Sequence, residues 1–246
     1  MTVPPKKAFV LAAGRGERMR PLTNNCPKPL LAVDGKPMLD RALDALAGAG
    51  VEEAVVNTFY LAPMIEEHLK ARQSPKITIS RETGLLDTGG GVKKMLGFFG
   101  AAPFYVLNAD VVWTDGQEPA LKALAHKWDS ETMDALLLLY PVDKISVHAG
   151  KGDYYLAEGS DRPVFAKGSG KPANYIFTGP RIVHPRLFEG SPDCAFSFLE
   201  LFHKAEKKGR LYALRHSGEW YHVGTPEALE ETNRILSARR EKKAVS

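Results

Sequence analysis

The residues best suited to chemistry stand near the start of the chain, in segment 9–23, which has the sequence FVLAAGRGERMRPLT. An uninterrupted apolar run leads there into Gly14 and Gly16, a pattern that predicts a buried parallel strand ending in a tight loop. Because glycine has no Cβ atom, the backbone N–H groups of such a loop can approach anionic oxygens closely. The cationic side chains within the same short span are Arg15, Arg18, Arg20 and Lys28. The stretch therefore predicts a polyphosphate site.

Two familiar glycine loops do not fit this stretch. A dinucleotide-binding fingerprint requires a third glycine or alanine where Met19 stands, followed by a helix, and Pro21 opposes an immediate long helix. A Walker A loop ends in Gly-Lys-Ser/Thr, which is missing here. A basic surface turn after a core strand is the non-functional alternative. It leaves unexplained the joint spacing of the glycines, Arg18 and the Pro-Lys-Pro-Leu segment at 27–30.

The glycines, Arg18 and segment 27–30 together resemble the signature of the sugar-phosphate nucleotidyltransferases, the enzymes that make nucleotide sugars. The resemblance extends from Lys7 to about Leu236 and implies that a nucleoside triphosphate and a sugar-1-phosphate bind to the chain. We expect Arg18 to contact the triphosphate, and Lys28 to contact the α-phosphate and the incoming sugar phosphate. The residues expected to bind the nucleotide in this loop are Ala13, Gly14, Gly16, Glu17, Arg18 and Lys28.

A second glycine-rich stretch, 82–91, has the sequence ETGLLDTGGG and precedes a helix predicted to begin at Val92. Backbone at Gly89 and Gly90 could lie flat against a nucleobase, and the helix N-terminus would offer N–H donors. A plain flexible loop is the alternative. The form of 86–91 looks most like the N-acetylmuramate-1-phosphate uridylyltransferases of peptidoglycan recycling.

A buried strand predicted at 103–107 ends in Asn108-Ala109-Asp110. A carboxylate at the carboxyl end of a central strand is well placed for a hard cation such as Mg²⁺, which takes oxygen ligands from carboxylates and substrate phosphates. We therefore predict Asp110 to be a metal ligand, with a solvated loop aspartate as the alternative. Asn108 matches a position that contacts the sugar in the family that the chain resembles.

The family that the chain resembles carries a second metal aspartate in a Trp-x-Asp-Val-Gly-Thr motif. Here segment 220–225 has the sequence WYHVGT, so His222 stands in the place of that carboxylate. Either His222 completes the metal site or it merely packs. As a ligand, a neutral imidazole would favour Mn²⁺ or a softer divalent ion over Mg²⁺.

The elements that must position these residues alternate along the chain. Apolar spacing and Pro/Gly punctuation predict strands at 9–13, 53–57, 76–80, 103–107 and 134–140, and helices at 37–48, 61–72 and 118–128. Such alternation predicts an α/β fold with a doubly wound, mostly parallel, Rossmann-like sheet. Ligands bind such sheets beyond the carboxyl ends of the strands.

From residue 141 the composition changes, and two short strands, 153–156 and 163–166, predict a hairpin. The resemblance implies that this small β-rich lobe binds the sugar through Asp153 and Asn174, although Gly170 stands where related thymidylyltransferases carry a glutamate. We predict a single nucleotidyltransferase domain, 1–246. Its parts are a nucleotide-binding core at about 6–140, the sugar-side lobe at about 141–225 and a C-terminal helix at about 226–240.

The composition is that of an ordinary globular protein: 246 residues, 44% hydrophobic, 25% charged, with a net charge of +4. This modest charge does not favour nucleic-acid binding, and no apolar run is long enough to span a membrane. Since no signal peptide is visible, we expect a cytoplasmic protein with free thiols, as a monomer or homodimer. Cys26 is expected to have a lowered pKa because it lies in a cationic loop.

The reaction that the resemblance implies is an in-line attack of a sugar-1-phosphate oxygen on the α-phosphorus of a nucleoside triphosphate, which releases pyrophosphate. We expect Arg18, Lys28 and Asp110 to act by positioning and charge stabilisation. The expected substrates are UTP and N-acetylmuramate-1-phosphate. Mannose-1-phosphate guanylyltransferase activity, glucose-1-phosphate nucleotidyltransferase activity and a non-catalytic nucleotide-sugar sensor are the alternatives. A metal-dependent glycosyltransferase would carry an Asp-x-Asp pair, which 108–110 is not.

Overall fold

The computed structural model describes residues 3–146 and 151–245. Its strands in that part are β1 (Lys7–Leu11), β2 (Ala32–Val33), β3 (Lys36–Pro37), β4 (Glu53–Thr58), β5 (Lys76–Arg81), β6 (Phe104–Asn108), β7 (Val111–Thr114), β8 (Ala135–Pro141), β9 (Tyr154–Tyr155), β10 (Val164–Phe165), β11 (Tyr175–Val183), β12 (Leu211–Arg215) and β13 (Glu219–His222). Its helices are α1 (Met38–Gly48), α2 (Ala62–Leu69), α3 (Asp87–Lys94), α4 (Leu96–Phe99), α5 (Ala120–Lys127), α6 (Phe198–Lys207) and α7 (Pro226–Val245).

The central sheet is mostly parallel. Strand β1 lies between β4 and β6 and is parallel to both, and β5 continues this arrangement beyond β4. Strand β11 runs antiparallel to β6 and β8, and β12 is parallel to β8. The hairpin of β9 and β10 attaches to the start of β11, while β7 and β13 form a separate antiparallel ribbon. The carboxyl ends of β1, β4 and β6 therefore meet at one edge of the sheet.

Helices cover both faces of this sheet. Successive residues of β1 point to opposite faces, as the pleat requires. Val10 packs on one side in a cluster with Leu43 of α1 and Leu124 of α5. Phe9 packs on the other side in a cluster with Phe202 of α6. Each of these side chains is at most 3% exposed, so two apolar layers fix the sheet between its helices.

The predicted α/β class is confirmed, including the mostly parallel Rossmann-like sheet. The small lobe contains the predicted hairpin, in register between Val164 and Tyr155. Its residues 147–150, like residues 1–2 and 246 of the predicted domain, lie outside the described residues. The division of the chain into core, lobe and terminal helix stays a prediction, as does the choice between monomer and homodimer.

The predicted start of α3 is wrong. The helix expected from Val92 begins at Asp87, so the three glycines of 89–91 lie inside α3 rather than in a loop before it. Within the described ranges, none of the helices combines the length and the apolar character needed to cross a membrane.

Candidate active site

The loop after β1 is folded tightly onto the residues that follow it. Gly16 has a φ of 64°, in the left-handed region that favours glycine. A Cβ atom there would lie 3.0 Å from both the Cβ of Lys28 and the Cγ2 of Thr23, so a side chain at this position would also crowd its neighbours. The buried Thr23 hydroxyl donates a hydrogen bond to the Gly16 carbonyl at 2.9 Å. The glycine thus lets the loop close around Lys28.

Lys28 forms an ion pair with Asp110 across the end of the sheet. Its Nζ donates to Oδ2 of Asp110 at 2.6 Å, and the lysine side chain is 9% exposed whereas that of the aspartate is 37% exposed. Asp110 follows β6, which lies beside β1. The adjacency of these two parallel strands therefore brings a cation and an anion to the same place.

A cavity of about 680 Å³, here called the larger cavity, opens at this edge of the sheet. Most of the residues predicted to bind the nucleotide or to act in catalysis line it. They are Ala13, Gly14, Gly16, Glu17, Arg18, Lys28 and Asp110. Asn108, predicted to contact the sugar, lines this cavity as well. A Cβ atom at Gly14 would meet no atom within 4 Å, so its backbone faces open space that a ligand can enter.

Asn57 and Glu82 are among the polar residues of this cavity that the sequence analysis did not predict. Asn57 Oδ1 accepts a hydrogen bond from the Ala12 N–H at 2.7 Å, and its Nδ2 donates to Glu82 Oε1 at 2.8 Å. Glu82 Oε2 in turn accepts from the Leu86 N–H at 3.1 Å. This buried network ties the glycine loop to the segment before α3. Its signal was available, since Asn57 and Glu82 are polar residues at the carboxyl ends of β4 and β5.

Gly89 and Gly90 do not line either cavity. Their backbone was predicted to lie flat against a nucleobase, but their N–H groups donate to the carbonyl of Phe196, at 2.9 and 3.2 Å. A Cβ atom at Gly89 would lie 2.4 Å from the Phe196 ring. These glycines serve the close packing of α3 against segment 194–196, and Thr88 lines the cavity in their place.

A second, smaller cavity of about 230 Å³ adjoins the first, with Thr88 and Asn108 lining both. Asp153 lines it, as expected for a sugar-side residue. Asp153 Oδ2 accepts a hydrogen bond from the Phe177 N–H at 2.9 Å, and burial raises the pKa of this carboxyl. The sugar role of Asp153 and Asn108 stays a prediction that this position supports.

The structure does not support the predicted sugar contact of Asn174. Its Oδ1 accepts from the Leu156 N–H at 2.8 Å, and its Nδ2 donates to the Leu156 carbonyl at 3.0 Å. The amide thus pairs with both backbone groups of one residue, and Asn174 lines neither cavity. We assign it to holding the hairpin lobe against β11.

His222 lies beside Asp110 because β13 pairs with β7, with His222 in register with Val111. Its ring packs against Gly224, which lines the larger cavity. Burial lowers the pKa of the imidazole, the positive charges of Lys28 and Arg18 lower it further, and Asp110 opposes them. The ring is therefore neutral at physiological pH and able to offer a lone pair to a metal ion.

These residues fit a divalent cation only in part. Among residues 3–146 and 151–245, no group of three or more His, Cys, Asp or Glu side chains could hold a metal by itself. Asp110 and His222 supply one carboxylate and one imidazole. Mg²⁺ sites at phosphates commonly use one or two carboxylates together with substrate oxygens, so this set suits a cation that arrives with a triphosphate.

The lowered pKa expected for Cys26 is not supported. Burial raises the pKa of its thiol, where a lowered pKa was expected from the neighbouring cations. The thiol contacts the Pro27 carbonyl oxygen at 3.7 Å, and Cys26 lines neither cavity. Desolvation of the thiolate by burial is the cause of this raised pKa.

The amino-acid sequence matches the nucleotidyl transferase family over residues 7–149. It is 41% identical to the N-acetylmuramate alpha-1-phosphate uridylyltransferase of Caulobacter vibrioides, with 93% of this chain and 96% of that protein covered. An enzyme of the same name from Neisseria meningitidis is 35% identical, with 94% of this chain and 99% of that protein covered.

The fold is also similar to those of solved structures. A UDP-glucose pyrophosphorylase complexed with UDP-glucose has a TM-score of 0.76 at 21% identity, covering 96% of this chain and 99% of that one. HddC from Yersinia pseudotuberculosis, complexed with GMP-PN, has a TM-score of 0.74 at 23% identity, covering 94% and 99%. The fold likeness, the family match and the two relatives agree with the motifs of the glycine loop, and the chain belongs to the sugar-phosphate nucleotidyltransferases.

Proposed function

We propose that the chain transfers the uridylyl group of UTP to N-acetylmuramate-1-phosphate and releases pyrophosphate. The observation that carries this proposal is the continuity of the two cavities at Thr88 and Asn108, with the pair of Lys28 and Asp110 on the wall of the larger one. A nucleotide in the larger cavity and a sugar in the smaller one would bring their phosphates together near Lys28. The relatives from Caulobacter and Neisseria are named as N-acetylmuramate alpha-1-phosphate uridylyltransferases, which supports this choice of substrates.

The chain's own residues would act by positioning and by charge. Arg18 and Lys28 offset the negative charge of the triphosphate and of the incoming sugar phosphate, and the backbone at Gly14 leaves room for phosphate oxygens. No general base is needed, because the second pKa of a phosphate monoester is about 6 and the nucleophile is already largely dianionic at neutral pH. The mechanism is therefore an in-line transfer of the nucleotidyl group to the sugar phosphate, without a covalent enzyme intermediate.

Enzymes of this family generally use a divalent metal ion. We propose that Asp110 and His222 hold it, as Mg²⁺, Mn²⁺ or another divalent ion, together with oxygens of the nucleotide. When bound, such an ion supplies positive charge that neutralises the phosphates. Asp110 is placed for this role because its carboxylate is 37% exposed beside the cavity, while the Lys28 ammonium that it accepts from is nearly buried.

N-acetylmuramate is a peptidoglycan sugar, and we propose that the reaction belongs to peptidoglycan recycling in the cytoplasm. The free cysteines Cys26 and Cys194 suit a reducing compartment.

The test is a matrix of nucleoside triphosphates against sugar-1-phosphates, with Mg²⁺ or Mn²⁺ and with pyrophosphate release as the readout. We expect UTP with N-acetylmuramate-1-phosphate to give the highest kcat/KM. A higher value for GTP with mannose-1-phosphate, or for glucose-1-phosphate with any nucleotide, would contradict the proposed substrates but keep the reaction class. Tight binding of UTP and the sugar phosphate without pyrophosphate release from any pair would instead indicate a sensor.

A further inference from the structure

Arg181 is a fully buried cation on the wall of the smaller cavity. It lies on β11, is 1% exposed, and its guanidinium carbon is 4.4 Å from the ring centroid of Phe198. The rings of Phe177 and Phe202 lie further off, at 5.4 and 5.9 Å. Aromatic faces attract a cation, but they do not replace an anion.

Within the described part of the chain, no carboxylate forms an ion pair with Arg181. The positive charge of Arg181 therefore has no anionic partner there. Its Nη1 donates to Asn108 Oδ1 at 2.9 Å and to the Gly179 carbonyl at 2.6 Å, both neutral groups. Its Nε is buried and makes no hydrogen bond. Burial lowers the pKa of the guanidinium to about 9.

The carboxylate that shares the cavity, Asp153, does not relieve this imbalance. It accepts a hydrogen bond from the Phe177 N–H and forms no ion pair with Arg181. A buried and unpaired guanidinium is costly to a fold, because the desolvation of its charge is not offset. An arginine of this kind in a ligand cavity is explained if the ligand brings the missing anion.

We propose that Arg181 determines specificity for an acidic sugar by binding the sugar's carboxylate. The proposal rests on the proposed function, because N-acetylmuramate carries a lactyl carboxylate in addition to the phosphate at C1. The phosphate is expected near Lys28 in the larger cavity, so the carboxylate is the anion left for the smaller one. Asn108 joins the two, since it lines both cavities and accepts from Arg181. Guanidinium and carboxylate match in charge and in planar geometry.

The experiment compares N-acetylmuramate-1-phosphate with N-acetylglucosamine-1-phosphate, which is the same sugar without the lactyl group. In the wild type, kcat/KM should be higher for the acid. In Arg181→Gln, we expect the ratio of the two kcat/KM values to fall by about 10- to 100-fold, the range of a hydrogen bond to a charged group. Arg181→Lys keeps the positive charge but lacks the planar guanidinium group, so the ratio of the two kcat/KM values should fall less in this variant.

Arg215→Gln is the matched control. Arg215 donates to the Ala157 carbonyl and to the Tyr175 hydroxyl, outside either cavity, so its loss should leave the ratio unchanged. Equal losses for both sugars in Arg181→Gln would show that Arg181 only supports packing and would overturn the inference. If that variant does not fold, the ratio in Arg181→Lys decides, and an unchanged ratio there overturns the inference too. A wild type that prefers a neutral sugar phosphate would instead overturn the proposed substrate.

Discussion

The ammonium of Lys28 lies 2.6 Å from the carboxylate of Asp110, although 82 residues separate them along the chain. The pairing follows from the sheet, because each residue comes after the carboxyl end of one of two neighbouring parallel strands. Each charge compensates the other when no substrate is bound. A triphosphate and a divalent cation offer each of them a new partner of opposite charge, so the pair is suited to exchange partners on binding.

Replacement of Lys28 by alanine should lower turnover by about 100-fold or more, since a preorganised charge at the reacting phosphates is lost. The fold should persist, because Asp110 is 37% exposed and stays solvated without its partner. Lys28→Arg should also be poor, as a planar guanidinium does not replace a compact ammonium at a crowded phosphate.

The measurement is pyrophosphate release at saturating substrates, together with a thermal melt of each variant. Lys36→Ala is the control, because Lys36 pairs with Asp44 at the surface and lines neither cavity. Turnover near the wild-type value in Lys28→Ala would rule out the mechanism.

Gly89→Ala should destabilise the protein by about 1–3 kcal/mol, the usual cost of overpacking. The new methyl group would lie 2.4 Å from the Phe196 ring and 2.9 Å from the Phe196 carbonyl oxygen, which is backbone and moves little. Gly97→Ala is the control within a nearby helix, since a Cβ atom there meets nothing within 4 Å. That change should be neutral or stabilising by up to about 1 kcal/mol. Urea unfolding of both variants measures the difference, and equal stability would contradict the packing role.

The sequence predicts the glycine loop and the central strands because their signals are local. The apolar run before Gly14 and the alternation of strands and helices each fit within a short window. The same holds for Asp110, since a carboxylate directly after a buried strand is placed by that strand alone. These features need no knowledge of distant parts of the chain.

The glycines at 89–91 and Asn174 could not be placed in this way. Glycine is a poor helix former, so a run of three predicts a loop. The structure shows that segment 194–196, far along the chain, packs against Gly89 and Gly90. The side chain of Asn174 accepts a hydrogen bond from the backbone N–H of Leu156 across the lobe. Arg181, inside an apolar strand, gave no sequence signal of a cavity. In each case the deciding contact is non-local, and one sequence without its fold does not reveal it.

Alkylation at neutral pH should label Cys194 faster than Cys26. Cys194 is exposed, whereas burial raises the pKa of the Cys26 thiol and keeps it protonated. Because neither thiol lines a cavity, protein labelled only at Cys194 should keep its activity. Iodoacetamide labelling of Cys26→Ser and Cys194→Ser, followed by mass spectrometry, compares the two rates. Faster labelling of Cys26 than of Cys194 would instead support the lowered pKa that was expected from the sequence.

Asp134→Asn should destabilise the fold by about 3 kcal/mol, because a nearly buried carboxylate would no longer balance two guanidinium groups. Asp134 Oδ1 accepts from the Nε atoms of Arg186 and Arg210, and its side chain is 7% exposed. Burial raises the pKa of this carboxyl, but the hydrogen bonds from the two arginines more than offset it, and the pKa is below its usual value.

The sign of the pH dependence follows from that depressed pKa. The stabilisation is present above the ordinary pKa of an aspartate and is lost as the pH falls through the lower folded value. The difference in the free energy of unfolding between the wild type and Asp134→Asn should therefore disappear at acid pH. Urea unfolding at neutral and acid pH measures it, with Glu67→Gln as a surface control expected to change little, since its pair with Lys70 is highly exposed. A gap that persists in strong acid would mean that the loss does not come from the charge.

His222→Asp should lower the Mg²⁺ concentration needed for half-maximal turnover, because a carboxylate would replace a neutral nitrogen beside Asp110. His222→Ala should raise the concentration of every divalent ion needed for half-maximal turnover, since one ligand is lost. His126→Ala is the control, as that histidine pairs with Glu118 at the surface. The measurement is turnover as a function of Mg²⁺, Mn²⁺ and Co²⁺ concentration for the four proteins. Unchanged metal curves in both His222 variants would remove this residue from the site and leave Asp110 and the substrate phosphates to hold the cation alone.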